Sequence, residues 1–290
     1  PHVLSLTHGV IEMEQLSPDY GRSRRRLRVL KMRGMRFREG YHDYSIEKGG
    51  WRVFPRLIAS DHRADFSPKP VSSGNQEFDD LLGGGLDRGT TTLIMGPAGT
   101  GKSTLSMQYA AQMAQRKESS VLFAFDEIRG IVLARAAAVG LDVAQHVQSG
   151  LIDVQQVDPA ELSPGEFGMR IRDAVEGGCS LLIIDSLNGY LNAMPGEKYL
   201  VNQLHEMSAY LNQKGVVTIL ILAQHGLIGQ AEAPLNLSYL ADTVVSVRFF
   251  EAAGAVRQAL SVIKKRSGGH EKTIREYSLV SDGGLRIGPP

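Results

Sequence analysis

The chain has 290 residues, enough to bury about three quarters of its unfolded surface in one large domain or in two smaller ones. Its 32 basic and 31 acidic residues leave a formal net charge of +1, which argues against a protein that coats nucleic acid or anionic membrane. The one cysteine, Cys179, excludes an internal disulfide, and no signal region or membrane-spanning run is present, so we expect a cytoplasmic protein.

Two segments near the ends of the chain resemble one another. Residues 27–33 match residues 260–266 and residues 44–46 match residues 277–279, at an offset of 233 positions in both cases. We interpret residues 1–58 as the C-terminal tail of an upstream repeat whose body is missing, although chance similarity of two β-hairpins is the alternative. The arginines of residues 22–38 are read mainly as part of that hairpin and less as a nucleic-acid arm.

A linker is expected next, because residues 59–74 are rich in Ser, Pro, Asp and His. The main domain is then predicted to cover residues 75–290. Within it, apolar strand patterns at 121–125, 181–184, 216–222 and 243–247 alternate with helical patterns near 131–139, 167–175 and 199–211. Such alternation is typical of an α/β fold with a mostly parallel sheet covered on both faces.

A phosphate-binding pattern, G-x-x-x-x-G-K-[ST], opens this domain. Its residues are Gly96, Pro97, Ala98, Gly99, Thr100, Gly101, Lys102, Ser103 and Thr104. A β-prone segment precedes it and a helical pattern follows it, so backbone N–H groups can surround phosphate oxygens at the helix N-terminus. Lys102 suits the β- and γ-phosphates and the Ser103 hydroxyl suits Mg²⁺, which predicts a nucleoside triphosphate site.

Two further strands end in acids. Asp185 closes an apolar strand and is expected to hold Mg²⁺ through water, a pattern that is weak alone and stronger beside a phosphate loop. Asp126 and Glu127 follow another strand. We expect Glu127 to be the general base and Asp126 to orient it, because residues 128–130 give no strong helix start that would make the pair capping acids.

Gln224 follows the strand at 216–222 and is a candidate sensor of the γ-phosphate. Lys264 and Arg266 alternate on a strand, so both side chains should point the same way. A second pair of cations beyond Lys102 favours insertion into an adjoining protomer's site, as an arginine finger does. The alternative is an ordinary basic edge that resists aggregation.

Together these residues resemble the KaiC family of RecA-superfamily ATPases. The resemblance is carried by residues 81–86 before the phosphate loop, residues 123–127, residues 184–188, and residues 262–266 with His270. It implies a RecA-like P-loop fold with a C-terminal β-hairpin, and a hexameric ring with ATP at each subunit interface. In that ring Glu127 would be the catalytic carboxylate, and Lys264 and Arg266 would reach across the interface.

The resemblance also implies a signalling ATPase with protein partners and serine autokinase activity. In the clock members of the family a Ser-Thr pair accepts phosphate; Ser238 keeps the serine, whereas Tyr239 replaces the threonine. The alternatives are a RecA- or RadA-like DNA-dependent ATPase and a nucleotide-dependent scaffold with little turnover. Residues 226–234 contain no Lys or Arg, which disfavours the DNA-dependent reading.

Overall fold

The computed structural model describes residues 6–17, 21–59, 64–158, 160–192, 200–224, 237–281 and 284–289. In these ranges the strands are β1 (Gly9–Leu16), β2 (Arg24–Met32), β3 (His42–Glu47), β4 (Gly50–Phe54), β5 (Pro70–Val71), β6 (Leu86–Asp87), β7 (Thr91–Pro97), β8 (Ser119–Ala124), β9 (Ile152–Gln156), β10 (Cys179–Asp185), β11 (Val217–Gln224), β12 (Thr243–Ala252), β13 (Ala255–Lys265), β14 (Arg275–Val280) and β15 (Gly284–Ile287). The helices of the same ranges are α1 (Gln76–Leu81), α2 (Lys102–Gln115), α3 (Arg129–Ala138), α4 (Val143–Gln148), α5 (Pro164–Glu176), α6 (Leu187–Asn192) and α7 (Leu200–Gln213).

A nine-stranded sheet forms the centre of the main domain across the described ranges. Its strand order is β15-β14-β13-β12-β7-β11-β10-β8-β9. The six strands from β12 to β9 run parallel, whereas β12 to β15 form an antiparallel meander at one side. The predicted α/β fold with a mostly parallel sheet and a C-terminal β-hairpin is therefore confirmed.

Helices cover both faces of this sheet. Consecutive residues of a strand point to opposite sides, so each strand contributes side chains to the core on either face. In β10, Leu181 and Ile183 belong to one buried cluster and Leu182 and Ile184 belong to the other. The first cluster contains residues of α1 to α4, and the second contains residues of α5 to α7. The phosphate-loop strand β7 thus lies in the middle of the sheet, with a core on each side.

Side-chain caps set the start of several helices. Asn75, Asp142 and Ser163 each accept a hydrogen bond from a backbone N–H in the first turn of α1, α4 and α5. Helix α2 begins differently, after Gly101, which has φ +83° and contributes no side-chain cap. The N–H groups at that helix start are therefore left for another acceptor.

Most strands and helices of the main domain agree with the sequence patterns. Helix α4 and strand β9 were not predicted. The helix predicted near 131–139 is present as α3, which begins two residues earlier at Arg129, with Ile128 as its N-cap residue and no side-chain cap bond. No helix in the described part of the chain is long and apolar enough to cross a membrane.

The N-terminal residues form a separate four-stranded antiparallel sheet, ordered β1-β2-β3-β4. This sheet contacts α5, where the Asp43 carboxylate accepts a hydrogen bond from the Gly165 N–H at 2.7 Å. A Cβ at Gly165 would overlap Asp43, so the approach of the two elements requires glycine there. Leu57 packs against the second core cluster.

Candidate nucleotide site

The phosphate loop lies at the carboxyl end of β7 and is held in a tight turn. The Pro97 carbonyl accepts hydrogen bonds from the Thr100 hydroxyl at 2.8 Å and from Lys102 Nζ at 2.7 Å. Gly96 permits close approach to β12, since a Cβ there would collide with the Val247 carbonyl oxygen. The loop therefore has the compact form that the glycine pattern predicts, with Lys102 folded back onto it.

Burial governs the charge of Lys102. Its side chain is 7% exposed, and desolvation lowers its pKa from 10.5 to about 8, while the Asp185 carboxylate acts in the opposite direction. A buried ammonium that carries one backbone hydrogen bond is poorly satisfied. A phosphate oxygen in the adjacent cavity would supply the missing negative charge.

Asp185 ends β10 beside Ser103, the first serine of α2. Burial raises the pKa of Asp185, and the hydrogen bond from the Ser103 hydroxyl and the charge of Arg135 lower it. The two predicted metal ligands are thus adjacent, a hydroxyl and a carboxylate, which are the oxygen ligands that Mg²⁺ takes together with phosphate and water. No cluster of three or more His, Cys, Asp or Glu residues suited to a metal occurs in the described ranges.

The acid pair follows β8 at the same edge of the sheet. Glu127 is bound by Arg135 of α3, whose Nη1 lies 2.5 Å from both carboxylate oxygens. Arg135 Nη2 lies 4.0 Å from Asp185 Oδ2. Asp126 Oδ2 accepts a hydrogen bond from the Ser186 hydroxyl. Arg135 was not among the predicted site residues, although it lies within the helical pattern near 131–139, because one arginine on a helix carries no motif.

These groups surround one cavity of about 370 Å³. Its volume falls in the range of about 300–1,000 Å³ that is usual for small-ligand sites. The lining residues that carry the chemistry are Gly99, Gly101, Lys102, Ser103, Thr104, Asp126, Glu127, Arg135, Asp185 and Ser186. Two other hollows in the described ranges are larger, at about 410 and 640 Å³. The first is lined by the β12–β13 turn, and the second is lined by β12, β13 and residues 270–274, with basic side chains but without the phosphate loop or the acids.

Gln224 is buried at the end of β11, directly opposite Pro97 in the register of β11 and β7. Gln224 does not line the cavity, whereas Ala223 does, so its role as a sensor stays a prediction. His225 and residues 226–234 lie outside the described residues.

Lys264 and Arg266 lie elsewhere. Lys264 is opposite Val244 on β12, which is opposite Leu93 on β7, whereas the loop begins at Gly96. At about 3.3 Å per residue, the Lys264 level is roughly 10 Å short of Gly96 along β7, and β13 is two strands away from β7. The pair is therefore not part of the cavity of its own chain.

Both cations face the segment that contains Ser238. Lys264 Nζ donates to the carbonyls of Ser238 at 3.0 Å and Ala241 at 2.8 Å. Arg266 donates to the Tyr239 carbonyl at 3.2 Å and to Asp242 Oδ1 at 3.3 Å. The prediction that both lie on one strand was wrong, because β13 ends at Lys265 and Arg266 lies just beyond it, although both side chains contact residues 238–242. Ser238 is accordingly grouped with the two cations and not with the phosphate loop of its own chain.

Two of the N-terminal arginines are paired within their own sheet. Arg26 contacts Glu14 at 2.8 Å, and Arg28 contacts Glu12. Both guanidinium groups also lie over the Tyr41 ring. These two arginines therefore contact residues of their own sheet, which agrees with the interpretation of residues 22–38 mainly as part of a hairpin.

Comparison with known proteins shows which proteins this chain resembles. A family model described as "ATPase: KaiC" matches residues 71–290. The circadian clock oscillator protein KaiC 1 of a Synechocystis species is 27% identical over 264 residues, 90% of this chain and 50% of the relative. The KaiC protein of Synechococcus elongatus is 26% identical over 268 residues, 92% of this chain and 51% of the relative. The chain thus spans about half the length of the curated relatives it matches.

Proposed function

Because the chain belongs to the KaiC family of ATPases, we propose that it binds ATP with Mg²⁺ in the cavity at the carboxyl ends of β7, β8 and β10 and hydrolyses it. The observation that carries this proposal is the convergence of Lys102, Ser103, Asp185 and Glu127 on one cavity. The four residues come from three separate strand ends, and nucleotide hydrolysis uses all four groups.

Each group has a distinct role in this proposal. The N–H groups of the loop and Lys102 bind the β- and γ-phosphates, and Ser103 and Asp185 would hold Mg²⁺, which supplies charge neutralisation of the phosphates. Glu127 accepts the proton of the attacking water, and Asp126, bonded to Ser186, fixes the neighbouring backbone. Gln224, level with Pro97, would contact the γ-phosphate side of the site.

The carboxylate of Glu127 is tied to Arg135 in the described arrangement. A water-activating role therefore requires one carboxylate oxygen to turn from Arg135 toward the nucleotide. The pair is partly exposed, at 28% and 35% for the two side chains, so its net free energy is small, about 0–1 kcal/mol. Nucleotide binding can rearrange an ion pair of that strength.

The first test compares Glu127→Gln with wild type. We expect phosphate release to fall by about 10²–10⁴-fold while ADP binding changes little, since the amide keeps the shape and loses the base. Glu161→Gln, an exposed acid outside the cavity, is the matched control. Unchanged phosphate release in Glu127→Gln would refute the role of Glu127. Added single-stranded DNA tests the DNA-dependent alternative, which requires a salt-sensitive stimulation.

We further propose that the protein assembles as a hexameric ring in which Lys264 and Arg266 complete the ATP site of the adjacent subunit. The support is their distance from their own phosphate loop together with the family's RecA-like fold. In a ring, the end of β13 with Lys264 and the following Arg266 would meet the neighbour's cavity, where they would stabilise charge that develops on the γ-phosphate.

A mixing experiment tests action across the interface. Glu127→Gln and Arg266→Ala subunits are each expected to be inactive alone. Mixed in equal amounts, about one quarter of the interfaces would pair an intact acid with an intact arginine, so about one quarter of wild-type activity should return. Mass measurement with and without ATP and Mg²⁺ checks the assembly. A mixture as inactive as its parts, in rings of normal mass, would contradict the proposal.

Serine autokinase activity is proposed at Ser238. Ser238 is partly exposed, and its carbonyl is bound by Lys264. A phosphoacceptor beside Lys264 and Arg266 would meet the ATP of the adjacent subunit if those cations do. Incubation with ATP followed by mass spectrometry should find phosphate on Ser238 and not in Ser238→Ala; assembled rings without that phosphate would exclude the activity. We also propose a role in signalling with protein partners, and the support is that the relatives are named circadian clock oscillator proteins.

The domain boundaries are proposed from the repeat. Adding 233 to the bounds of β3 gives residues 275–280, which are those of β14, and each meander pairs its four strands in sequence order. Ile46 matches Leu279 at the same offset, and Trp51 matches Leu285 with one residue of slippage. Ile46 and Trp51 are 53% and 61% exposed, whereas Leu279 and Leu285 pack on or within the main core. We therefore propose residues 1–58 as the tail of an upstream RecA-like repeat, 59–74 as linker and 75–290 as the ATPase domain.

Trp51 offers a direct test because it is the single tryptophan of the chain. In a polypeptide that carries the complete upstream repeat, burial of Trp51 should shift its fluorescence emission to shorter wavelength. An unshifted emission would argue against the repeat.

A further inference from the structure

We propose that Tyr277 and Gln258 are positioning residues that fix the phosphate loop for nucleotide binding. The proposal rests on the proposed ATP site and assigns a role in it to the C-terminal meander, which carries neither loop nor acids. Both residues contact backbone carbonyl groups of the loop and do not line the cavity themselves.

The contacts are specific. The Tyr277 hydroxyl, on β14, donates a hydrogen bond to the Thr100 carbonyl. Gln258 Nε2, on β13, donates to the Gly99 carbonyl at 3.3 Å. Tyr277 is 3% exposed and Thr100 is fully buried, so the first bond lies in the protein interior. Removal of the Tyr277 hydroxyl would leave the buried Thr100 carbonyl without this hydrogen bond.

Peptide geometry converts these bonds into an orientation of the loop. In a trans peptide unit the C=O and the next N–H point in opposite directions. Holding the Gly99 and Thr100 carbonyls toward β13 and β14 therefore turns the N–H groups of Thr100 and Gly101 away from those strands. Donors with this orientation are the ones that bind phosphate oxygens at the start of a helix.

Side-chain packing reinforces the same orientation. A Cβ at Gly101 would overlap Leu279 Cδ1 at 2.7 Å, and one at Gly99 would meet Phe249 at 3.7 Å. The meander thus packs against one side of the loop, and the loop has its binding conformation in the absence of ligand. Such preorganisation strengthens binding because less ordering remains to be done in the complex.

The test uses Tyr277→Phe, which removes one hydroxyl and keeps the ring. We expect the dissociation constant for ADP to rise about five- to tenfold, the effect of one hydrogen bond, and KM for ATP to rise more than kcat falls. Gln258→Ala removes the more exposed contact, with an expected rise of about two- to threefold. Tyr109→Phe is the control, since it removes a hydroxyl from the same core cluster on α2.

Amide hydrogen exchange of residues 98–103 without nucleotide supplies a readout independent of ATP binding. Faster exchange in Tyr277→Phe than in Tyr109→Phe, with weaker ADP binding, supports the proposal. Exchange and ADP affinity equal to those of the control overturn it. If wild type binds no nucleotide but exchange in Tyr277→Phe is faster, the proposed function fails while the anchoring of the loop stands. If Tyr277→Phe does not fold, Gln258→Ala decides by the same two measurements.

Discussion

Replacement of Lys102 by methionine should stabilise the unliganded protein at pH 7 while it abolishes nucleotide binding. The difference between the ordinary lysine pKa of 10.5 and the value of about 8 corresponds to a penalty of about 3 kcal/mol for the buried charge. Loss of the hydrogen bond from Lys102 to the Pro97 carbonyl costs about 1 kcal/mol and offsets part of this gain. The Pro97 carbonyl keeps its hydrogen bond from the Thr100 hydroxyl. The expected net gain in free energy of unfolding is therefore about 2 kcal/mol.

The sign of the pH dependence follows from the lowered pKa. The penalty is fully present below about pH 8, where Lys102 is charged in both states, and it shrinks as pH rises from 8 towards 10.5. At pH 9.5 the folded protein carries a largely neutral Lys102, and about 1 kcal/mol of penalty remains. The advantage of Lys102→Met should thus nearly vanish at that pH.

Urea unfolding at pH 7.0 and pH 9.5, without nucleotide and with chelator, measures both quantities. Lys48→Met, at an exposed turn between β3 and β4, is the control for loss of an ammonium group. A Lys102→Met protein that is less stable than wild type at pH 7, or whose stability difference is the same at both pH values, would refute the electrostatic reasoning.

Three further outcomes are expected. Gly96→Ala should lower stability by about 1–3 kcal/mol in thermal unfolding and weaken ADP binding, because the added Cβ meets the Val247 carbonyl; unchanged values would contradict the close approach. Alkylation of Cys179 at pH 8 should be about a thousandfold slower in the folded than in the urea-unfolded protein by mass spectrometry, since burial raises its pKa to about 12; equal rates would show an accessible thiolate. Phe54 is 3% exposed, so Phe54→Ala should lower the free energy of unfolding by about 3–5 kcal/mol and speed amide hydrogen exchange in α5. Unchanged exchange in α5 would show that the N-terminal sheet does not stabilise this helix.

The sequence was sufficient for features that local spacing encodes. The glycine pattern and the apolar strands with terminal acids predicted the sheet and the grouping of Lys102, Ser103 and Asp185, because parallel strands bring their carboxyl ends to one edge. The start of α3 could not be read in the same way. Ile128 offers no side-chain acceptor to the helix N-terminus, so the usual capping signal is missing.

Contacts between distant segments were not accessible. Tyr277 and Thr100 are 177 positions apart, and Gln258 and Gly99 are 159 apart. Neither tyrosine nor glutamine at those positions differs in pattern from an ordinary strand residue. Strand β9 was missed for another reason: Ile152 and Val154 are its two buried apolar residues, too few for a periodic signal. The roles of Ser238, Lys264 and Arg266 stay predictions.

The contact between α5 and the first sheet bears on how this protein should be produced. The family match begins at residue 71, yet Gly165 and Gly168 of α5 lie under Asp43 and Leu57. A polypeptide cut at residue 71 would expose the groove that Tyr190 and Met207 also line. Apolar surface uncovered in this way promotes aggregation. The N-terminal sheet should therefore be retained when the protein is expressed, because it covers this groove.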